Sequence, residues 1–343
     1  MRIALALTCL TLPTLAGCAF FSPAAPHQPV HFSEAPSPDG AERFPHWPLP
    51  PFTYLEHLRL FETTPFEVRA LDTSVGGTSG AYKANIAFPS LGADVKFKVK
   101  RIPRDLDGVN NAPRKELAAY VIQRLFLDPE DYVVPSTLVY CAPLEIWERN
   151  HPATEPTLGG TNCVLLAVSL WLKNVTLPDP LYDEQRFLTD PTYAYFLSNF
   201  NVFTYVIGHK DGREGNFLVS KDDARRQVFA IDNGSSFNPL GYNYFVPNWN
   251  VLRVAAVRKE TINRLRKLER GDLDFLEVAA QIEIGSDGAA HVVAPGESLD
   301  DDKGALREGN TVQFGLTEGE IDHVWERIER LIEDVDDGKV PVF

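Results

Sequence analysis

Apolar residues recur along the chain with two different periods, and the places where one period gives way to the other mark its elements. Val95, Phe97 and Val99 alternate with Lys96, Lys98 and Lys100, the period-two pattern of a strand with one apolar and one cationic face. Phe66 to Val75 and Ala81 to Phe88 read as two further strands around VGGTSG. Asn110, Asn111 and Pro113 then open a helix, in which Leu117, Tyr120, Val121 and Leu125 fall at helical spacing. Tyr132 to Tyr140 and Cys163 to Trp171 are two more apolar strand candidates, separated by a polar, Pro- and Gly-bearing loop from Arg149 to Gly160.

The pattern changes near Leu177-Pro178-Asp179-Pro180, the expected boundary between two lobes. Asp190 and Pro191 supply a capping carboxylate and a first-turn proline to a helix. Its stripe is Tyr193, Phe196, Leu197, Phe200, Phe203 and Ile207, and Gly208 ends it. Phe217 to Val219 and Val228 to Ile231 flank a charged turn at Lys221 to Arg226, the signature of a hairpin. Lys259 to Glu269 and Leu273 to Gln281 read as helical, and Ile282 to Val293 as a hairpin around Ser286-Asp287-Gly288. Thr317 and Glu320 form a capping box before an amphipathic helix through Ile321, Val324, Trp325, Ile328, Leu331 and Ile332.

The amino terminus follows a different logic. Met1-Arg2 is followed by a mostly apolar run from Ile3 to Leu12, and Leu15-Ala16-Gly17 then leads into Cys18. This is the three-part design of a secretory signal. Its last four residues resemble the bacterial lipobox, which implies cleavage before Cys18 and a lipid on that cysteine. Prolines at 23, 26, 29, 36 and 38 make the segment after it an extended tether. The organisation expected is a signal over 1–17, a tether over 18–43, a first lobe over 44–176 and a second over 177–343. The localisation that follows is the bacterial cell envelope, with the folded part outside the cytoplasm and the lipid as its only contact with the membrane. Cys141 and Cys163 remain as an even pair in an oxidising compartment, expected as a disulfide, with two free buried thiols as the other reading. With 33 Lys and Arg against 47 Asp and Glu, the chain carries a net charge of −14, which argues against a nucleic-acid partner.

An acidic total leaves room for a local basic pocket. His209-Lys210-Asp211-Gly212-Arg213-Glu214-Gly215-Asn216 leaves the long helix and enters a strand, and Asp232-Asn233-Gly234 leaves the partner strand of the same hairpin. A hairpin brings its ends together, so Asn216 and Asp232 are expected side by side. Asp211 can accept a proton from a hydroxyl, while Asn216 and Asp232 offer oxygens to a hard divalent metal. His-x-Asp with an Asn five residues after the Asp, then a hairpin ending in Asp-x-Gly, resembles the catalytic and metal-binding loops of the protein-kinase-like superfamily. The wording GREGNFLV and AIDNGSSF looks closest to its atypical branches: the HipA-like, type II phosphatidylinositol 4-, secretory-pathway and CotH-like kinases.

The resemblance spans about residues 70–240 and implies a bilobal α+β fold, with a small, mostly-β N-lobe carrying one helix and a mainly helical C-lobe. It implies ATP with Mg²⁺ or Mn²⁺. Asp211 would be the base and Arg213 a group on the transferred phosphate, while Asn216 and Asp232 would be metal ligands. Gly76, Gly77 and Gly80 would approach a polyphosphate. Lys98 would be the nucleotide lysine and Glu116 its ion-pair partner, with Lys100, on the same face, as the other reading for that lysine. The acceptor hydroxyl, on a protein, a sugar or a lipid head group, is not legible. Lys210 stands where protein kinases keep an arginine, Asn233 replaces a phenylalanine, and no Ala-Pro-Glu segment follows. Singly, each motif has a plainer reading as a turn, a solvent-facing lysine or a first-turn acid. The second functional reading is a non-catalytic envelope lipoprotein acting as a binding scaffold.

Overall fold

Five strands, β1 (Glu67–Thr73), β2 (Tyr82–Phe88), β3 (Ala93–Arg101), β4 (Thr137–Pro143) and β5 (Cys163–Leu170), form an antiparallel sheet in the order β1-β2-β3-β5-β4. They belong to a computed structural model that describes residues 45–47, 67–73, 81–88, 93–107, 112–149, 151, 154–237 and 249–343. The segments expected as leader and tether, with Cys18, and the three glycines Gly76, Gly77 and Gly80 lie outside the described residues. The described residues make a mixed α+β structure of antiparallel sheets and several helices. No helix among them is long and apolar enough to cross a membrane.

The alternation in β3 is realised as written. Val95, Phe97 and Val99 are buried, while the lysine face is graded: Lys96 is exposed, Lys98 half-buried and Lys100 buried. β4 begins later than its apolar run suggests. The amides of Val133 and Val134 are taken by the Gln123 side-chain oxygen, and Pro135 has no amide to give, so pairing starts at Thr137. Cys141 and Cys163, on neighbouring strands β4 and β5, are joined in a disulfide with Cα atoms 5.4 Å apart.

Helix α1 (Pro113–Ile122) is buried along its whole length, Arg114, Lys115 and Glu116 included. A helix carrying three charged residues is buried throughout only where each charge finds a partner. Arg114 and Lys115 both reach Glu320, at 2.6 and 2.9 Å, so the start of α1 is held from the far end of the chain. Its C-terminal end is pinned by Gln123, whose amide nitrogen donates to the carbonyls of Tyr120 and Val134. A short helix α2 (Leu144–Glu148) follows β4.

Beyond the sheet, α3 (Glu184–Thr189) and α4 (Pro191–Val206) lie end to end, each capped by an aspartate. Asp190 accepts from the amides of Thr192 and Tyr193, as its place before Pro191 suggests. The α4 stripe of Tyr193, Leu197, Phe200 and Phe203 is buried, and Gly208, at φ +61°, turns the chain out of the helix. β6 (Val175–Thr176), β7 (Phe217–Ser220) and β8 (Val228–Ala230) form a small antiparallel sheet whose β7–β8 hairpin matches expectation.

The C-terminal part holds α5 (Lys259–Leu265), α6 (Glu318–Asp336) and a four-stranded sheet. Its strands, β9 (Ala280–Ile284), β10 (Ala290–Val293), β11 (Ala305–Glu308) and β12 (Thr311–Phe314), run in the order β10-β9-β12-β11. One expectation needs correcting here. The segment read as helical from Leu273 to Gln281 is helical only as far as Val278, as part of the 3₁₀ helix Arg270–Val278, and Ala280 already pairs with Phe314. The backbone comes too close for a wider coil, since Leu316 donates to the Leu276 carbonyl at 2.8 Å. The β11–β12 hairpin has no counterpart in the sequence reading.

Candidate functional site

Asp232 and Asn216 end the two strands of the β7–β8 hairpin on one side, and the Ile231 amide donates to the Asn216 carbonyl at 2.9 Å. That register brings the two polar residues together, as the hairpin argument requires. The loop before β7 is organised from within. The Asn216 amide nitrogen donates to the Asp211 carbonyl at 3.0 Å, and no described residue donates to its amide oxygen. His209, fully buried, reaches the Asp232 carbonyl through Nε2 at 3.1 Å. A carbonyl only accepts, so the proton sits on Nε2, and Nδ1 is left without a partner. Burial lowers the His209 pKa, in keeping with a neutral ring that orders the loop. The Asp211 carboxylate is met by the Arg213 guanidinium through both Nε, at 2.6 Å, and Nη2.

The sheet contributes the cations. The pairing assigned to Lys98 is made instead by its neighbour: Lys100 Nζ lies 2.7 Å from Glu116 Oε1 and 3.1 Å from Asp232 Oδ1. Lys100 is one step further along the same strand face, where the start of α1 comes over the sheet. Glu116 is held on both oxygens, since Oε2 accepts from the Asn233 amide at 2.9 Å. One carboxylate therefore ties β3 and the Asp232-Asn233 turn to α1. Lys98 has a separate place: its Nζ donates to the Ile231 carbonyl at 2.6 Å and stands 3.8 Å from Asp232 Oδ2.

Burial by itself would lower the Lys100 pKa, but the carboxylates of Glu116 and Asp232 outweigh it and raise it. Lys98 shifts the other way, lowered by burial and by the neighbouring Lys100 ammonium. Burial works to raise the Asp232 pKa, and the two ammonium groups overcome it and hold the carboxyl well below its usual range.

Beside these groups is a cavity of about 230 Å³ whose walls include Lys98, Glu116, Trp171, Leu177, Leu218 and Asn233. Mostly apolar walls with a few convergent polar groups suit a small organic ligand with a charged end. Trp171 and Leu177 are among the few large apolar side chains left exposed, at 39% and 55%. A larger hollow of about 630 Å³ lies at the C-terminal end of α1, against Arg124, Phe275 and Pro295, and is lined by none of the candidate site residues.

Among the described residues, no three His, Cys, Asp or Glu side chains gather as a complete metal set. Asp232 and Asn216 supply one carboxylate and one amide oxygen, enough to hold a cation only if a ligand's own oxygens complete the shell. The sequence left the choice between Lys98 and Lys100 open because they share a face, and period two does not separate them. No protein-family model matches the chain, and no curated protein is significantly similar to it.

Proposed function

We propose that this chain is a kinase-like phosphotransferase of bilobal architecture. It would move the γ-phosphate of ATP to a hydroxyl acceptor with Mg²⁺ or Mn²⁺. The observation that supports this best is a convergence: side chains from β3, α1 and the turn after β8 meet at Lys100, Glu116 and Asp232 beside one apolar cavity, and the 211–216 loop is tied to that turn by the backbone bond from Ile231 to Asn216. A structural ion pair has no need of a polar loop tied to the turn that carries Asp232.

In this reading the cavity takes the adenine, and Lys98 at its wall takes the phosphates. Asp211 accepts the hydroxyl proton as the acceptor oxygen bonds to the γ-phosphorus and the bond to the β-γ bridging oxygen breaks, with ADP leaving. Arg213, now on Asp211, is placed to move to the transferred phosphoryl group. A divalent ion held by Asp232 and Asn216 would offset charge on the phosphates. The acceptor, whether protein, sugar or lipid head group, stays open, and the lipid on Cys18 would keep the protein at the envelope membrane.

A specific observation favours the second reading, a non-catalytic scaffold: the Asp211 carboxylate is engaged by Arg213, and both Asp232 oxygens face an ammonium. Radiolabelled ATP turnover with Mn²⁺ separates the two. Transfer or hydrolysis in wild type, falling about 10²-fold or more in Asp211→Asn and lost in Asp232→Asn, is the expected result. Wild type that binds ATP without turnover would establish the scaffold.

A further inference from the structure

Two lysines two residues apart on β3 serve one aspartate, and the geometry gives them different work. Lys100 is buried, at 3% exposure, and bonded to both Glu116 and Asp232. It does not line the cavity. Lys98 does, and its only close bond among the described residues is to a backbone carbonyl. At 3.8 Å its ammonium is too far from Asp232 Oδ2 to hydrogen-bond, yet close enough for strong attraction in a half-buried site. A single cation thus stands over the oxygen that a divalent ion would use.

The charges dictate an order of arrival. Lys98 and Lys100 balance Glu116 and Asp232, so a bare divalent cation meets a neutral cluster whose nearest member is an ammonium. A polyphosphate brings the opposite sign. It can draw the Lys98 ammonium from the Ile231 carbonyl onto its own oxygens, and that movement uncovers Asp232 Oδ2. We infer that Lys98 is a built-in placeholder for the metal, so that the cleft binds the nucleotide first and without metal, and admits the divalent ion only afterwards. The inference rests on the nucleotide reading of the cavity. The lowered Lys98 pKa accords with it, since an ammonium held against burial and a like charge gains more from an arriving phosphate.

The test is calorimetric titration of ATP into the full chain, once in EDTA and once in Mn²⁺, beside titration of Mn²⁺ alone followed by the electron paramagnetic resonance of the free ion. Wild type is expected to bind ATP in EDTA with an affinity similar to that in Mn²⁺, and to bind no Mn²⁺ by itself. Lys98→Met removes a charge-assisted contact and should weaken ATP binding in EDTA roughly 10- to 100-fold. The same variant should begin to bind Mn²⁺ without nucleotide. Lys98→Arg keeps the cation and should retain metal-free binding, and melting curves for both variants check that they fold. ATP binding that needs Mn²⁺ in wild type overturns the order of arrival while leaving the nucleotide site intact. Stoichiometric Mn²⁺ binding to the free wild-type protein also overturns it. Absence of ATP binding in either buffer overturns both this inference and the nucleotide reading.

Discussion

Helix α1 carries two charge clusters within one turn, and they are built from nearly the same parts. On one side Arg114 and Lys115 meet Glu320 and Asp107; on the other Glu116 meets Lys100 and Asp232, with Lys98 nearby. The first is closed. Arg114 forks onto both Glu320 oxygens at 2.6 and 3.1 Å and donates to the Gly315 carbonyl. Glu320 also accepts from the Thr317 amide, so one carboxylate serves the start of two helices. The second is open. Its last cation bonds a backbone carbonyl at 2.6 Å while its carboxylate waits at 3.8 Å, with a cavity alongside. A cluster satisfied from within stabilises the fold; one left a bond short at a cavity wall is where a ligand completes it.

Three measurements can break or sharpen this contrast. The largest effect belongs to the closed cluster. Glu320→Ala leaves Arg114 and Lys115 buried without their carboxylate and should cost about 3–5 kcal/mol in urea unfolding. A loss below about 1 kcal/mol would mean that this cluster behaves like a surface pair.

Acid should separate a second variant, Glu320→Gln, from wild type. The Glu320 pKa would be raised by burial, but Arg114 and Lys115 hold it below the usual range of a glutamate. A carboxyl depressed on folding stabilises fully above its unfolded value, and that contribution is lost as pH falls through the folded one. Urea midpoints measured from pH 6 down to 2.5 should therefore decline less steeply in Glu320→Gln than in wild type, with the two curves converging at the acid end. Parallel curves would remove Glu320 from the acid response.

The smallest effect belongs to the open cluster. The Asp232 side chain is 31% exposed and Lys100 keeps Glu116, so Asp232→Asn should change stability by about 1 kcal/mol or less. The same substitution should abolish turnover. A large loss of stability in Asp232→Asn would assign the open cluster to the fold rather than to a ligand.

Much of the local structure follows from neighbours in the chain. Asp190 before Pro191 caps α4, Thr317 with Glu320 caps α6, and the polar turn at 221–226 closes the β7–β8 hairpin, because a cap or a tight turn is completed within a few residues. That same locality placed Asn216 beside Asp232. Other segments were decided at a distance. Apolar content from Tyr132 suggested strand, yet Gln123 claimed the first amides; helical spacing from Leu273 gave way to pairing of Ala280 with Phe314. The β11 residues Ala305 to Glu308 are too few and too mixed in polarity to announce a strand, and they pair because β12 is there to receive them.

The same division runs through the candidate site. Period two put Lys96, Lys98 and Lys100 on one face, and hairpin closure brought Asp232 to the loop with Asp211 and Asn216; the sequence by itself determined that much, since both depend on backbone geometry alone. Which lysine pairs with Glu116 depended on where α1 lies over the sheet, and α1 is positioned by Glu320, 206 residues beyond Arg114. Contacts across such separations leave no periodic trace. Only the tertiary structure could make Lys100 the buried tie and leave Lys98 at the cavity wall, because equivalent positions on a strand become different when another element covers one and stops short of the other.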